Sequence, residues 1–374
     1  MKMKLFYIGL FAMQLCNALH ILVVVDTFPG VAKTPIINQI IGLLKNHTVT
    51  VYSQKRPHND AIIHDAFIDY NLDTYVTYDF PENLNHFDVI ICQYGELGNT
   101  FAELKKEGKF TSKLVTFFRG EDITGTSKAT TQNYKLLFEQ GDLFLPICNY
   151  FEYKLILLGC PQEKICVVPS GVDCDIFQKY SKGYRKKSED IKILSVGRLI
   201  TKKGLRYAIE AISLLKKEYP NVKYIIVGNG PLKEKLSTLV KELKLTKNVA
   251  FLGYKTAKEI AQLMAESDIV VVPSVTSVGG NQDAPVNVLK EAMAVGVPVI
   301  STFHGGIPEL VDNDVSGFLV PEANAFYIYK RIKQLIEEPD LRELFIKNGK
   351  KKVKEKYDCS VVNKKLQNAL DQLF

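Results

Sequence analysis

The sequence lacks the features that mark several common functional classes. Its seven cysteines form no C-x-x-C pair, and neither they nor the six scattered histidines have the spacing of a tetrahedral metal site. No long basic run is interleaved with aromatic residues, so the formal net charge of +7 gives little support for nucleic-acid binding. After the N-terminal leader, no segment can span a bilayer. We therefore expect no bound metal, no nucleic-acid partner and no membrane-spanning domain.

The N-terminal 19 residues permit two interpretations. Met1–Lys4 is basic, Leu5–Leu15 is apolar, and the run ends at Cys16–Ala18 with small residues, which is the pattern of a secretory signal. A core strand is predicted almost immediately afterwards. This favours either an apolar leader that docks on the protein or a gene start assigned too far upstream. Both interpretations stay open.

Length and periodicity predict two α/β domains. With 374 residues, of which 46% are apolar, the chain can form two cores. Strand and helix patterns alternate along its whole length, which is typical of parallel sheets. The polar, charged segment Gln178–Asp190 is the predicted linker. We assign residues 1–19 to the leader, 20–185 to the N-terminal domain, 186–355 to the C-terminal domain and 356–374 to a final helix.

Apolar runs and their period predict the individual elements. For the N-terminal half we predict strands at His20–Asp26, Val49–Tyr52, Val89–Gln93, Leu114–Phe118, Leu143–Pro146 and Cys166–Pro169, and helices at Thr34–Lys45, Tyr134–Gln140 and Tyr150–Leu158. For the C-terminal half we predict strands at Ile191–Val196, Val222–Val227 and Val249–Leu252, and helices at Leu205–Glu218, Lys233–Leu243 and Ala257–Ser267.

The stretch 268–321 is the most informative part of the chain. Pro285 is expected in the first turn of a helix, because proline is well tolerated there. The free N–H groups of Val286, Asn287 and Val288 would then point into a cleft, where they can bind a diphosphate. Glu291 lies four residues after Asn287 and so shares its helix face. Its carboxylate can accept two hydrogen bonds from a ribose diol.

A second candidate segment follows the predicted strand Ile191–Val196. Gly197 permits a tight turn. Arg198 can make bidentate hydrogen bonds to phosphate oxygens, and Lys203 adds a second positive charge. Two cations at this place can bind a diphosphate and stabilise the negative charge that grows on it as a leaving group.

Three further glycines lie in turns that follow strands. Gly228 and Gly230 belong to the turn Ile226–Pro231, where the backbone can pass close to a nucleotide base. Gly30 lies after the first strand, within Phe28–Gln39, and is a candidate for approach to the donor phosphate or the acceptor. A lone G-x-G is weak evidence, because it is equally typical of a simple strand-to-helix turn.

Together these motifs resemble those of glycosyltransferase family 4. Asp283 and Glu291, separated by seven residues, resemble the acidic signature of this family, and 197–204 resembles its G-R-L-x-x-x-K-G loop. Phe28–Gln39 and Phe117–Asp122 resemble segments of bacterial exopolysaccharide enzymes of the colanic-acid type. The resemblance implies the GT-B fold: two Rossmann-like domains that face a deep cleft, with the last helix crossing back onto the first domain.

The resemblance also implies a reaction. Family members are retaining, metal-independent enzymes that use a nucleotide diphosphate-sugar donor. The acceptor implied here is a saccharide or a lipid-linked saccharide. By this analogy Arg198 and Lys203 hold the diphosphate, Glu291 holds the ribose and Asp283 approaches the transferred sugar. A cytoplasmic location is implied, with peripheral contact to an anionic membrane that the basic net charge also suits.

The sequence departs from the family pattern at two candidate catalytic positions. Asp283 stands where the family usually has glutamate, so the acidic side chain is shorter. Arg119 replaces the histidine of the F-H-G-x-D element, and arginine cannot accept a proton, although it can bind a sugar hydroxyl or a phosphate. Asp122 is the polar partner expected beside it; the alternative for Asp122 is a helix N-cap.

Three alternatives remain open at this stage. The D-x-D sequence Asp173–Asp175 matches a manganese motif of a different, single-domain glycosyltransferase fold, but here it lies just before the linker. A catalytically decayed protein that only binds sugar nucleotides is the second alternative, because Arg119 and Asp283 depart from the pattern. A GT-B sugar-nucleotide epimerase is the third.

Overall fold

The computed structural model describes residues 18–30, 33–58, 63–125, 134–181 and 190–374. The predicted leader segment Leu5–Leu15 lies outside the described residues, as does most of the predicted linker. Within these ranges, none of the helices combines the length and the apolar character that a bilayer crossing requires.

The N-terminal half is built on a parallel sheet of six strands. In chain order they are β1 (His20–Thr27), β2 (Thr48–Lys55), β3 (Val76–Thr77), β4 (Val89–Cys92), β5 (Lys113–Phe118) and β6 (Leu143–Pro146). Their spatial order is β3-β2-β1-β4-β5-β6. The central strand β1 is apolar on both faces, and Ile21–Val25 are fully buried, as expected when helices cover both sides of a parallel sheet.

Five helices accompany this sheet in the described residues: α1 (Thr34–Leu43), α2 (Asp65–Asp69), α3 (Gly95–Lys106), α4 (Lys135–Gln140) and α5 (Asn149–Leu157). Helix α6 (Cys174–Gln178) follows them, and its Cys174 and Phe177 are buried in a core of the C-terminal half. The predicted strand Cys166–Pro169 is wrong. Cys166 and Val168 donate backbone hydrogen bonds to β6, but the segment continues as irregular chain. Pro169 has no N–H with which to extend the ladder.

The C-terminal half repeats this architecture. Its strands are β7 (Lys192–Val196), β8 (Lys223–Val227), β9 (Val249–Gly253), β10 (Ile269–Val271), β11 (Val299–Thr302) and β12 (Phe318–Val320), in the order β12-β11-β10-β7-β8-β9. Its helices are α7 (Leu205–Leu215), α8 (Lys233–Glu242), α9 (Ala257–Ala265), α10 (Asn287–Val295), α11 (Ile307–Leu310), α12 (Ala325–Glu337), α13 (Pro339–Lys356) and α14 (Cys359–Asp371). Two parallel, helix-covered sheets confirm the prediction of two Rossmann-like domains.

The last helix packs on the N-terminal half. Val362, Leu366, Ala369 and Leu370 of α14 are buried in the same core as β1, and α14 packs against α1. Between α13 and α14 the chain crosses back to the N-terminal half beside the segment that precedes α6. There the Val172 N–H donates to the Tyr357 carbonyl at 2.9 Å. The C-terminal residues therefore contribute to the core of the first domain.

Candidate active site

A cavity of about 550 Å³ lies between the two halves, at the carboxyl ends of the C-terminal strands. In open α/β sheets this edge is where ligands bind. Eight of the predicted site residues line it: Gly197, Arg198, Lys203, Gly228, Val286, Asn287, Val288 and Glu291. These eight residues come from three separate loops and one helix, and the fold alone brings them together.

The loop after β7 supplies the positive charge. Arg198 is exposed to the cavity, and Lys203 reaches it from the single turn Thr201–Lys203. The loop is held against the turn after β8, where Gly228 has φ +130°. A Cβ on Gly228 would lie 2.0 Å from the Gly197 carbonyl oxygen. Glycine is therefore required at position 228, because the two turns touch through their backbones.

Helix α10 directs its N-terminus at the same cavity. The helix begins at Asn287 with Val286 as its N-cap, so the prediction that Pro285 lies in the first turn is wrong. The N–H groups at the start of a helix have no partner within it, and the helix dipole makes this end attractive to anions. The core face of α10 is as predicted, with Val288, Ala292 and Val295 buried.

Glu291 lies one turn further along α10 and lines the cavity. Loss of surrounding water raises the pKa of its carboxyl group to about 7, and the positive charge of neighbouring Lys290 opposes this rise. Lys290 is itself buried, donates to the Ser170 carbonyl at 2.7 Å, and has its pKa lowered to about 7 by burial. Above pH 7 this group is ionised, and as a carboxylate at the cavity it can accept hydrogen bonds from a ligand.

The substitution Glu291→Gln should stabilise the free protein and weaken donor binding. Since the folded-state pKa is raised from 4.5 to about 7, the ionised form is disfavoured in the fold, and stability falls as pH rises between these values. We expect the variant to gain about 3 kcal/mol in the free energy of unfolding at pH 8 and almost nothing at pH 4. Donor affinity should fall about tenfold, the usual value of a charged hydrogen bond.

Urea unfolding at the two pH values and a donor titration would check both effects. Glu291→Asp is the matched control, because it keeps the charge and shortens the reach. A gain in stability that is equal at pH 4 and pH 8 would contradict the assigned pKa.

Asp283 lies behind Lys203 and not at the cavity wall. Its side chain is 9% exposed, and both of its oxygens are occupied: Lys202 lies at 3.1 Å from Oδ1, and Lys203 at 2.8 Å from Oδ2. Burial alone would raise the pKa of Asp283, but the charges of the two lysines outweigh it and hold the pKa below its usual range. This placement differs from the sequence-based prediction that the carboxylate reaches the sugar.

A buried histidine fixes Asp283 from the other side, and sequence reasoning missed it. The His304 Nε2 accepts the N–H of Asp283 at 2.9 Å, so Nδ1 carries the proton and donates to Glu322 at 2.6 Å. Glu322 also accepts the Thr276 N–H at 2.7 Å. The adjacent Gly305 has φ +49°, and a Cβ there would lie 2.1 Å from the Asp283 carbonyl oxygen. This support is visible only in the structure, because the residues that provide it come from separate loops.

Arg119 is held inside the N-terminal half. Its guanidinium donates to the side-chain oxygens of Gln93 at 2.6 Å and Gln39 at 2.8 Å, and it lies over the Phe117 ring. Burial lowers its pKa, while the charges of Tyr94 and Asp122 raise it. It borders a void of about 10 Å³ beside Ser170 and does not line the main cavity.

The other N-terminal candidates also lie away from the cavity wall. The Asp122 carboxylate accepts backbone N–H groups of Gly95, Arg119 and Gly120, so it organises its own loop; burial nevertheless raises its pKa. Gly30 is not among the residues that line the cavity, and within the described part of the chain a Cβ there would touch only the Lys33 side chain. Their predicted roles stay predictions.

Gly230 and the D-x-D residues Asp173 and Asp175 make contacts that support the local fold. A Cβ on Gly230 would lie 2.6 Å from the Leu199 carbonyl oxygen, so this glycine packs against the β7 loop without lining the cavity. Asp173 caps α6 by accepting the Ile176 N–H, and Asp175 lies 3.1 Å from Lys354. Among the residues that the structure describes, no three His, Cys, Asp or Glu side chains are grouped as metal ligands.

Sequence comparison assigns the family. A model described as Glycosyl transferases group 1 matches residues 176–352. The chain is 38% identical to WcaL of Escherichia coli K12, named as a colanic acid biosynthesis glycosyltransferase, over 76% of this chain and 71% of WcaL. It is 34% identical to the amylovoran biosynthesis glycosyltransferase AmsK of Erwinia amylovora, over 76% and 70%. The chain belongs to the group 1 glycosyltransferases.

Solved structures with the same fold match almost the whole chain. Anabaena HepE in complex with UDP-glucose matches with a TM-score of 0.76 at 20% identity, over 95% of this chain and 100% of that one. A sucrose-phosphate synthase from Thermosynechococcus elongatus matches with a TM-score of 0.72 at 18% identity, over 95% and 99%. The GT-B fold is confirmed. The resemblance to exopolysaccharide glycosyltransferases is confirmed as well, and the named relatives support a transferase.

Proposed function

We propose that this glycosyltransferase moves a sugar from a nucleotide diphosphate-sugar to a saccharide or lipid-linked saccharide, with retention of anomeric configuration and without a metal ion. One observation carries the proposal: two cations and a helix N-terminus line the same interdomain cavity. This combination suits a diphosphate in charge and in hydrogen bonding. The UDP and UDP-glucose complexes of HepE, a protein of the same fold, support a donor of this class.

In this proposal, different residues bind different parts of the donor. Arg198 and Lys203 hold the diphosphate and stabilise the charge that develops on it as the glycosidic bond breaks. The first N–H groups of α10 complete this anion site, and Glu291 accepts hydrogen bonds from the ribose. Lys203 is aimed by Asp283, which is thus a positioning residue in this proposal.

The proton of the acceptor hydroxyl needs a base. In the proposed reaction the acceptor oxygen bonds to the anomeric carbon, the bond to the diphosphate breaks, and the leaving diphosphate oxygen takes the acceptor proton. Attack on the face from which the diphosphate departs gives retention. Arg119 cannot be the base, because a guanidinium has no free lone pair at neutral pH.

The setting of the reaction is part of the proposal. The relatives named for colanic acid and amylovoran biosynthesis support a saccharide acceptor. We place the reaction in the cytoplasm. The net charge of +7 supports peripheral contact with an anionic membrane.

Donor hydrolysis followed by proton NMR tests this proposal directly. UDP-, GDP- and dTDP-sugars are incubated with the protein in EDTA and without acceptor, so that water takes the acceptor's place. We expect slow release of free sugar from one donor, with the first-formed anomer matching the anomer of the donor. Release of the opposite anomer would contradict retention. Activity that returns only on addition of Mn²⁺ or Mg²⁺ would contradict metal independence.

A further inference from the structure

Lys290 is a buried lysine on α10, the helix whose N-terminus faces the cavity. It is 1% exposed and precedes Glu291 directly, but it is not among the residues that line the cavity. Lysine is almost never fully buried unless its charge is paired or fully hydrogen-bonded, because leaving water costs the ammonium group free energy. We therefore expect the hydrogen bonds of Lys290 to have a purpose beyond packing.

Two hydrogen bonds hold the ammonium group of Lys290 at the boundary between the halves. Its Nζ donates to the Ser170 carbonyl at 2.7 Å and to the Asn287 Oδ1 at 3.1 Å. Ser170 lies in the N-terminal half, before α6, whereas Asn287 is the first residue of α10. The Nζ also lies 5.1 Å from the centre of the Tyr357 ring, within the range of a cation–π contact. Lys290 therefore joins the start of α10 to the N-terminal half.

The bond from Lys290 determines which end of the Asn287 amide is left for a ligand. An ammonium group has donors only, so the amide oxygen must face it, and the N–H₂ group occupies the other branch of the side chain. Asn287 lines the cavity, and among the described residues no acceptor pairs with its Nδ2. This nitrogen is not enclosed by protein atoms either. Its N–H groups are thus open to the cavity, next to the backbone N–H groups that begin α10.

We propose that Lys290 is a positioning residue for donor binding: it holds the Asn287 amide with its N–H₂ group toward the cavity, where this group donates to a phosphate oxygen of the donor. The inference rests on the proposed function, since it needs a diphosphate beside Arg198 and the start of α10. Because Lys290 is itself anchored on the Ser170 carbonyl, the direction of this donor depends on the N-terminal half as well.

Inorganic pyrophosphate tests the amide contact, because it carries the diphosphate without base or sugar. Calorimetric titrations are made at pH 6, where Lys290 is charged because its pKa is about 7. We expect Asn287→Ala to bind pyrophosphate about tenfold more weakly than the wild type, the value of a hydrogen bond to a charged group. Asn287→Asp should bind it more weakly still. It keeps an oxygen for Lys290, but a carboxylate has no N–H group and repels the anion.

A double-mutant cycle tests whether Lys290 acts through Asn287. Lys290→Met keeps an unbranched side chain of similar length but removes the donor and the charge. We expect it to weaken pyrophosphate binding about tenfold in the wild-type background, because both the charge and the hold on the amide are lost. In the Asn287→Ala background only the loss of charge remains, so the same substitution should cost about twofold. A purely structural role would give equal factors in the two backgrounds, and that result would overturn the proposal.

Lys350→Met is the matched control for the loss of a lysine beside α10. Burial lowers the pKa of Lys350 too, but this side chain lies next to Gly296, at the other end of the helix, and donates to Ser181 at 2.6 Å. Its pyrophosphate affinity should equal that of the wild type; a loss as large as that of Lys290→Met would show a general effect on the helix and overturn the proposal.

The same titrations distinguish failure of this inference from failure of the proposed function. Wild-type affinity for pyrophosphate in both Asn287→Ala and Asn287→Asp would overturn the amide contact and leave the diphosphate site intact. Absence of pyrophosphate binding in the wild type would contradict the proposed function itself.

Discussion

Replacing both Arg198 and Lys203 with alanine is expected to lower kcat/KM for glycosyl transfer by about 10⁴-fold, since removal of one preorganised donor to a developing charge usually costs ~10²–10³. Both side chains line the same cavity as the start of α10. The attraction strengthens as the diphosphate leaves, so kcat should fall as well as donor affinity. Steady-state kinetics with the preferred donor would measure both parameters.

Lys203→Ala removes one of the two ion-pair partners of Asp283, so the double variant should be folded but less stable than the wild type. Arg198 is exposed, so circular dichroism and the midpoint of urea unfolding should change little for Arg198→Ala alone, and that single variant tests the diphosphate assignment without the loss of stability. Arg206→Ala is the matched control: Arg206 belongs to the same half, its side chain is 62% exposed, and it pairs with Glu210 away from the cavity. Unchanged turnover in the double variant would refute the diphosphate assignment.

Asp283→Ala is expected to impair stability and turnover together. The substitution leaves Lys202 and Lys203 partly buried without their shared carboxylate, and breaking such a buried pair typically costs about 3–5 kcal/mol. Lys203 then loses its fixed position, and a displacement of about 1 Å in a catalytic group can cost 10²-fold in rate. Urea unfolding and donor kinetics on the same preparation would check both effects.

The conservative variant Asp283→Asn separates charge from shape. Asparagine can still accept a hydrogen bond from Ser274, whose Oγ lies 2.9 Å from Oδ2, but it carries no charge for the lysines. We expect an intermediate loss of stability and donor affinity. If Asp283→Asn abolished transfer while donor affinity and stability stayed intact, the carboxylate would act on the sugar itself, as the family resemblance implies.

The pH dependence of stability gives a third measure of the same ion pairs. Because the folded-state pKa of Asp283 lies below its usual value, its stabilising contribution is present above pH 3.8 and is lost as pH falls below that value. Wild-type stability should therefore decline more steeply in acid than that of Asp283→Asn. The two unfolding curves should converge at low pH.

For helix α10, the sequence pattern predicts both the helix and the side on which each residue lies. The 3.6-residue pattern predicts a helix with Val288 and Ala292 in the core, and it therefore predicts that Glu291 faces outward. The structure places Glu291 at the cavity, as this pattern requires. Helix α3 was not predicted, because Gly95 and Gly98 weaken a helical pattern. In the fold, Gly98 lets α3 approach β5, since a Cβ there would lie 2.6 Å from Thr116.

The sequence by itself determined the strands, helices and turns that depend only on residues close together in the chain. Alternating apolar segments specify the parallel sheets, and the residues that follow strands β7 and β8 identify the glycine turns and the cations Arg198 and Lys203. The acidic pair Asp283 and Glu291 is equally visible in the sequence. These features depend on residues within one helix or one turn, where spacing translates directly into geometry.

Only the tertiary structure decided which of these side chains line the cavity. Asp283 is turned away from the cavity by Lys202 and Lys203, which precede it by about 80 residues, and by His304 on a different loop. His64 and Tyr254 line one cavity only because the two halves of the protein meet there. Buried charges take the orientation that satisfies all their partners, and those partners meet only when distant strands align.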